Sequence, residues 1–242
     1  MKSVNCACVL YGTKYSIVYV ENLYNMLQRN CSYRVNLHVL TEADRQLPDH
    51  VIKHSLEEIP AITSERQYWW YKMQLFGLRI TGPVLYLDLD TVLVNNIDWV
   101  WHLNPDKFYA IRDFKYLWKP ATTTINSSIM IWNPEKYNWI LDHFNKESIS
   151  KIIKQYPGDQ DYISTLIVST RDFEYLPADI ALSWRWQAVD GGFDYKTRKY
   201  KQPNAGTSTN EKTSFLVFHG KPKPHEVPDV FVQKHWNCGK YK

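Results

Sequence analysis

No stretch of this 242-residue chain stays apolar for the roughly twenty residues that a membrane-spanning helix needs. Its first residues hold no basic segment leading into a long apolar one, so a secretion leader is not expected. The chain therefore reads as cytoplasmic, with attachment to a membrane surface left open. Cysteine is scarce: Cys6, Cys8, Cys31 and Cys238 are the only four, and no CxxC pair occurs. That argues against a structural zinc site and for reduced thiols. Cys6 and Cys8 alternate with Asn5 and Ala7 in a strand-like run and so share one face. Basic residues form no block or stripe. A formal net charge of +4 mildly favours anionic ligands but does not describe a nucleic-acid binder. Internal repeats and clear linkers are absent too, so one domain over 1–242 is expected.

Hydrophobic residues make up 44% of the chain and charged residues 22%, a balance that excludes disorder as the default. Aromatic residues are abundant, with 17 Tyr and 10 Trp. Much of this belongs in a core, but surplus aromatics also line pockets for sugars and bases.

"VNCACVLYG" (4–12) reads as a buried strand ending in a turn at Gly12. In 16–30, Ile17, Val20, Tyr24 and Leu27 share one helical face, with Ser16 placed to cap the start. "VNLHVLT" (35–41) is a second strand. Strand, helix, strand suggests an α/β domain with a parallel sheet. A helix is expected over 66–80, then a central strand over 83–90 whose carboxyl end carries two acids. Further strands are expected at 107–113, 127–133 and 214–220, with helices from Pro134 and over 159–169. The polar, Gly-containing segment 190–212 reads as a surface loop or lid, and 221–228 as a stiff, extended basic segment.

Chemistry concentrates in four places. "VLYLDLDTVLV" (84–94) sets Asp88 and Asp90 at i and i+2, on one side of a strand. Two such carboxylates repel unless a cation or a shared proton relieves them, and hard divalent metals do this together with phosphates. A bare DxD is also a common turn cap. "FHGKPKP" (218–224) puts His219 and Gly220 before Lys221 and Lys223, two lysines that an extended chain aims at one anion. His219 could add a nitrogen ligand to the two acids, a set that suits manganese as well as magnesium. "INSSIMIWNP" (125–134) places Asn126 and Ser127 just ahead of a buried strand. "GDQD" (158–161) opens a helix; N-capping accounts for Asp159 but not for Gln160 or Asp161. Lys72, in an aromatic-rich segment, is either a snorkelling surface lysine or one that reaches a phosphate.

In this order, "LYLDLDTVLVNNID", "INSSIMIWNP", "GDQD" and "FHGKPKP" resemble the motifs of family 8 glycosyltransferases, the group of glycogenin and the bacterial lipopolysaccharide galactosyltransferases. The resemblance spans most of the chain. It implies a single GT-A (Rossmann-like) α/β domain with a mostly parallel central sheet flanked by helices. It also implies a UDP-sugar donor, a divalent metal (manganese or magnesium) and transfer of a hexose with retention. Carried over by motif, Asp88, Asp90 and His219 would hold the metal, with Leu89 between the acids at the cofactor. Gly220 and Lys221 would contact the diphosphate, and Lys223 is a further candidate. Tyr11 and Gly12 would cradle uracil and ribose, Lys72 would be the basic residue ahead of the DxD, and Asn126, Asp159 and Gln160 would face the donor sugar and reaction centre. The nucleotide part would fill about 1–113 and the acceptor side about 114–242. Two departures stand out: Ser127-Ser128 replaces the usual small residue and glycine, and 176–212 matches no known pattern. The acceptor, a glycan, lipid or protein, and the oligomeric state stay open.

Two other readings compete. "DLDTVLV" also resembles the opening motif of haloacid-dehalogenase-type phosphatases, with Asp88 as nucleophile, but there the motif follows the first strand. A non-catalytic nucleotide-sugar-binding protein is the second.

Overall fold

The first strand, β1 (Ser3–Leu10), sends Cys6, Cys8 and Leu10 to one side and Ala7 to the other, and this alternation sets the layers. On the cysteine side lies α1 (Ile17–Asn30), which buries Val20, Leu23, Met26 and Leu27, with Ile17 and Tyr24 at the edge of that stripe. Ser16 occupies the cap position, but its side chain caps nothing. Cys6, Cys8 and Cys31 are buried free thiols. The structure is a computed structural model that describes residues 3–190, 193–194, 199–200 and 206–237; Cys238 lies outside them.

Next come β2 (Arg34–Thr41) and β3 (Ile52–Ser55), a 3-10 helical segment (Glu65–Gly77), β4 (Val84–Leu87) and β5 (Thr91–Leu93). They are followed by β6 (Phe108–Arg112), β7 (Ile125–Trp132), α2 (Pro134–Tyr137), α3 (Trp139–Lys146), α4 (Ile149–Gln155) and α5 (Asp159–Ile167). Short strands β8 (Phe173–Tyr175) and β9 (Ala181–Ser183) precede the ribbon of β10 (Phe193–Asp194) and β11 (Lys199–Tyr200). Last are β12 (Phe215–Val217) and α6 (Val230–Trp236).

Seven strands form the central sheet in the order β3-β2-β1-β4-β7-β6-β8. All neighbours run parallel except β7, which is antiparallel to both β4 and β6. The sheet is therefore mostly parallel, as expected, and it continues across residue 113 without a break. A smaller sheet, β5-β12-β9, packs beside it. The second apolar layer covers the opposite face with Trp70, Met73 and Phe76, and with Phe144 and Ile163 from the later helices.

Several boundaries differ from expectation for physical reasons. Segment 65–77 winds as a 3-10 helix, and three of its buried residues, Trp70, Met73 and Phe76, sit at the three-residue spacing at which that helix eclipses side chains. β4 ends after Leu87: Asp88 N–H still makes the next cross-strand bond, to Ser128 O at 2.9 Å, but Thr91 N–H then bonds Asp88 O at 3.0 Å and turns the chain. Asp88 and Asp90 thus sit on a turn between two strands, not along one. Asn126 and Ser127 lie inside β7, whose eight residues are all buried. The segment after Gly220 is not extended; it turns at Gly220 (φ +77°) and again over Pro224–Glu226. Of 190–212, residues 191–192, 195–198 and 201–205 lie outside the described set. No described helix is long and apolar enough to cross a membrane.

His38 on β2 is 7% exposed, with Nδ1 2.9 Å from His54 Nε2 and Nε2 3.3 Å from Asn5 Oδ1. Burial, then the neighbouring His54, pushes its pKa from 6.5 down to about 4. The fold thus favours the neutral ring, while the unfolded chain takes up a proton below pH 6.5. Stability from this group is complete above that pH and is lost as pH falls toward about 4, with a slope of up to about 1.4 kcal/mol per pH unit. Urea unfolding from pH 7 to 4 is expected to show this decline, and His38→Gln to flatten it. An unchanged slope in the variant would refute the assignment.

Candidate active site

β1 and β4 both end at a cavity of about 730 Å³, the carboxyl edge where open α/β sheets bind ligands. Its lining includes Tyr11, Lys72, Asp88, Leu89, Asp90, Asn126, Asp159, Gln160, His219, Gly220 and Lys223. Residues scattered over 11–223 in sequence are thus gathered around one space. Of the expected set, Gly12 and Lys221 are not among the lining residues.

The floor is built on Lys72. It is 5% exposed, and its Nζ lies 3.1 Å from Asp88 Oδ1 and 3.2 Å from Asp159 Oδ2. The same ammonium donates to Ser127 Oγ at 2.9 Å, and Ser127 Oγ donates to Asp159 Oδ2 at 2.7 Å. Tyr86 Oη donates to Asp88. Burial alone would raise the Asp88 pKa, but the Lys72 charge and hydrogen bonds from Tyr86, Ser128 and Lys72 outweigh it and hold it below the ordinary range. Burial likewise opposes charge on Lys72, and Asp159 and Asp88 together overcome it. Lys72 is therefore neither a snorkelling lysine nor free to swing. Asp159 is not the helix cap either: Gly158 holds that position, and the Asp159 carboxylate turns to Lys72 and Ser127.

A second group sits above. Asp90 accepts from Tyr15 Oη at 2.8 Å and forms an ion pair with Lys223, which also donates to Phe218 O at 3.3 Å. Lys223, not Lys221, is the lysine that turns inward. Lys221 is 85% exposed and stands 3.7 Å from Glu226, because the turns at Gly220 and Pro224 aim the two lysines apart.

His219 Nε2 lies 2.7 Å from Ser183 Oγ, and its ring packs between Phe114 and Trp186. Burial and then the Arg185 charge push its pKa down to about 4, so the ring is neutral at pH 7. A neutral imidazole suits a metal, but the donor set does not assemble. Among the described residues no three His, Cys, Asp or Glu groups stand close enough to hold one ion. Asp88 and Asp90 each hold a lysine, and His219 is held by Ser183. The expected Asp88, Asp90 and His219 set, with manganese or magnesium, does not fit this arrangement.

At the other end Tyr11 packs on Tyr71 (4.1 Å between ring centres) and edge-on to Tyr68 (4.7 Å), with Trp69 on the rim. Gly12 sets the approach of this loop. Its φ is +65°, and a Cβ there would meet Tyr68 at 2.7 Å. Glu42 Oε1 accepts from Gly12 N–H at 2.7 Å, and Arg45 donates to Gly12 O at 2.8 Å while also pairing with Glu42. Gln160 Nε2 donates to Asp113 Oδ2 at 3.1 Å. Asn126 Oδ1 accepts from Ser128 N–H at 3.0 Å. Sequence reasoning missed Lys14, Tyr15, Glu42, Arg45 and Asp113. The available signal was position: each follows the end of a strand in the set that supplies the cavity.

No family model and no curated protein matches the chain. Solved structures do. An active-site mutant of LgtC superposes with a TM-score of 0.67 at 12% identity, over 97% of this chain and 95% of that one. The galactosyltransferase LgtC in complex with donor and acceptor sugar analogs gives 0.64 at 13% identity, with the same coverage. The glycosyltransferase GlyE from Streptococcus pneumoniae TIGR4 gives 0.66 at 14%, over 98% of this chain and 61% of that one. The chain has the GT-A glycosyltransferase fold.

Replacing Lys72 with Met leaves the buried Asp159 and the half-buried Asp88 without their ammonium. We expect Lys72→Met to lose about 3–5 kcal/mol in denaturant unfolding, with partial recovery when Asp159→Asn is added. A loss below about 1 kcal/mol would contradict the described role of Lys72.

Proposed function

We propose that this protein is a glycosyltransferase that moves a hexose from a UDP-sugar to an acceptor hydroxyl with retention at the anomeric carbon. The observation that carries the reading is the meeting of Lys72, Asp88, Asp90, Asn126, Asp159, Gln160 and Lys223 around one cavity at the carboxyl edge of a GT-A sheet. The likeness to glycosyltransferase structures supports it, and one of those was solved with donor and acceptor sugar analogs. Tyr11 and Tyr68, with Tyr71 packed behind Tyr11, form an aromatic wall suited to a uracil ring. Polar and charged groups fill the other end, as a diphosphate and sugar require.

Charge dictates the roles. Breaking the bond between the sugar carbon and the phosphate oxygen leaves negative charge on the departing UDP. A fixed ammonium nearby stabilises that charge more than it stabilises the intact donor. Lys223 is placed for this. Asp159 and Gln160 face the sugar, where positive charge develops; their positions are fixed by Lys72 and Asp113. Enclosure by the aromatic walls favours an acceptor hydroxyl over water.

The phosphatase reading finds less support. Asp88 follows the fourth strand of the chain, and its carboxylate is engaged by Lys72 and Tyr86. A catalytically silent UDP-sugar binder is separated from an enzyme by assay. With a panel of UDP-hexoses, in EDTA and in manganese, the protein is expected to release UDP slowly by donor hydrolysis. Gln160→Ala should lower the turnover by about 100-fold with little change in UDP affinity. Donor binding without UDP release from any of them would favour the silent binder, and absence of both would refute the proposal.

A further inference from the structure

The loop between β1 and α1 puts Lys14 into the cavity wall. Its Nζ lies 4.9 Å from the centre of the Tyr15 ring, and it forms no ion pair with any described residue. Three other lysines of the wall are already committed: Lys72 to Asp88 and Asp159, Lys223 to Asp90, Lys115 to Asp113. Lys14 is near enough to feel Lys223, Asp90, Asp88 and Lys72, and burial followed by Lys223 lowers its pKa. An unpaired, exposed ammonium at the cavity wall, beside a second ammonium, is a place that gains from an anion.

The carboxylates complete the argument. Asp88 and Asp90 would be the natural anchors of a divalent ion between protein and diphosphate. Here each already has a lysine, and no third ligand stands with them among the described residues. An entering metal would have to displace Lys223 from Asp90. A diphosphate entering alone needs no such exchange, because it meets Lys14 directly and can share Lys223.

We infer that Lys14, together with Lys223, holds the diphosphate of the nucleotide, and that nucleotide binding requires no divalent metal. This rests on reading the cavity as a nucleotide site, and the test keeps the two apart. UDP and uridine are titrated calorimetrically into wild type, Lys14→Met and Lys14→Arg, in EDTA and in manganese, with thermal melts to confirm folding. Wild type is expected to bind UDP in EDTA within about tenfold of its affinity in manganese. Lys14→Met should weaken UDP by more than about tenfold and leave uridine unchanged, and Lys14→Arg should retain most of the affinity. Manganese strengthening UDP binding by more than about tenfold would overturn the inference while leaving the nucleotide site standing. So would a Lys14→Met variant that binds UDP as wild type does. If neither UDP nor uridine binds wild type in either condition, the nucleotide reading itself fails and this inference with it.

Discussion

One buried ammonium organises the site. Lys72 reaches from the 3-10 segment to Asp88 after β4, Ser127 in β7 and Asp159 at the start of α5. Charges of one sign buried there alone would shift their pKa and neutralise. Set together, Lys72 and Asp88 keep their charges. Four separate segments are thereby tied at one point, and the cavity above inherits its shape from that tie. Gln160 and the turn carrying Asp90 both adjoin residues whose positions the cluster fixes.

The upper level follows a different logic. Five Lys or Arg and five Asp or Glu side chains line the cavity, so it is formally neutral. What it attracts depends on which of those charges are already paired. The paired ones, Lys72 and Lys223 above all, shape the floor and one wall. Lys14 stays available, in the loop after β1 that also carries Tyr11 of the aromatic wall. Glu42 and Arg45 grip both polar groups of the Gly12 peptide and so hold the loop that carries Lys14 and Tyr15.

Much of this was legible in the sequence, and the failures share a cause. Apolar runs and alternation located β1, β2, β6 and β7, and the four motifs named most of the cavity lining. Local pattern says little about where a chain turns. Asp88 and Asp90 looked like two residues of one strand because the apolar run continues through them, yet the bond from Thr91 N–H to Asp88 O turns the chain right after the cross-strand bond from Asp88 N–H to Ser128 O. Lys221 and Lys223 looked equivalent for the same reason, and two turns send them to opposite environments. His219 looked like a ligand because it stands beside the lysines, whereas Ser183, from β9, claims its Nε2. Partnerships across 30 residues or more leave no local trace. The 3-10 winding of 65–77 was concealed by an aromatic run that fits either helical period.

The most direct test of the account is an experimental structure of the protein with UDP, grown in the presence of EDTA. The account predicts uracil against Tyr11 and Tyr68, and the diphosphate within hydrogen-bonding distance of Lys14 and Lys223. The Lys72 cluster should lie unchanged beneath them. UDP bound elsewhere, or a diphosphate that contacts neither lysine, would contradict it.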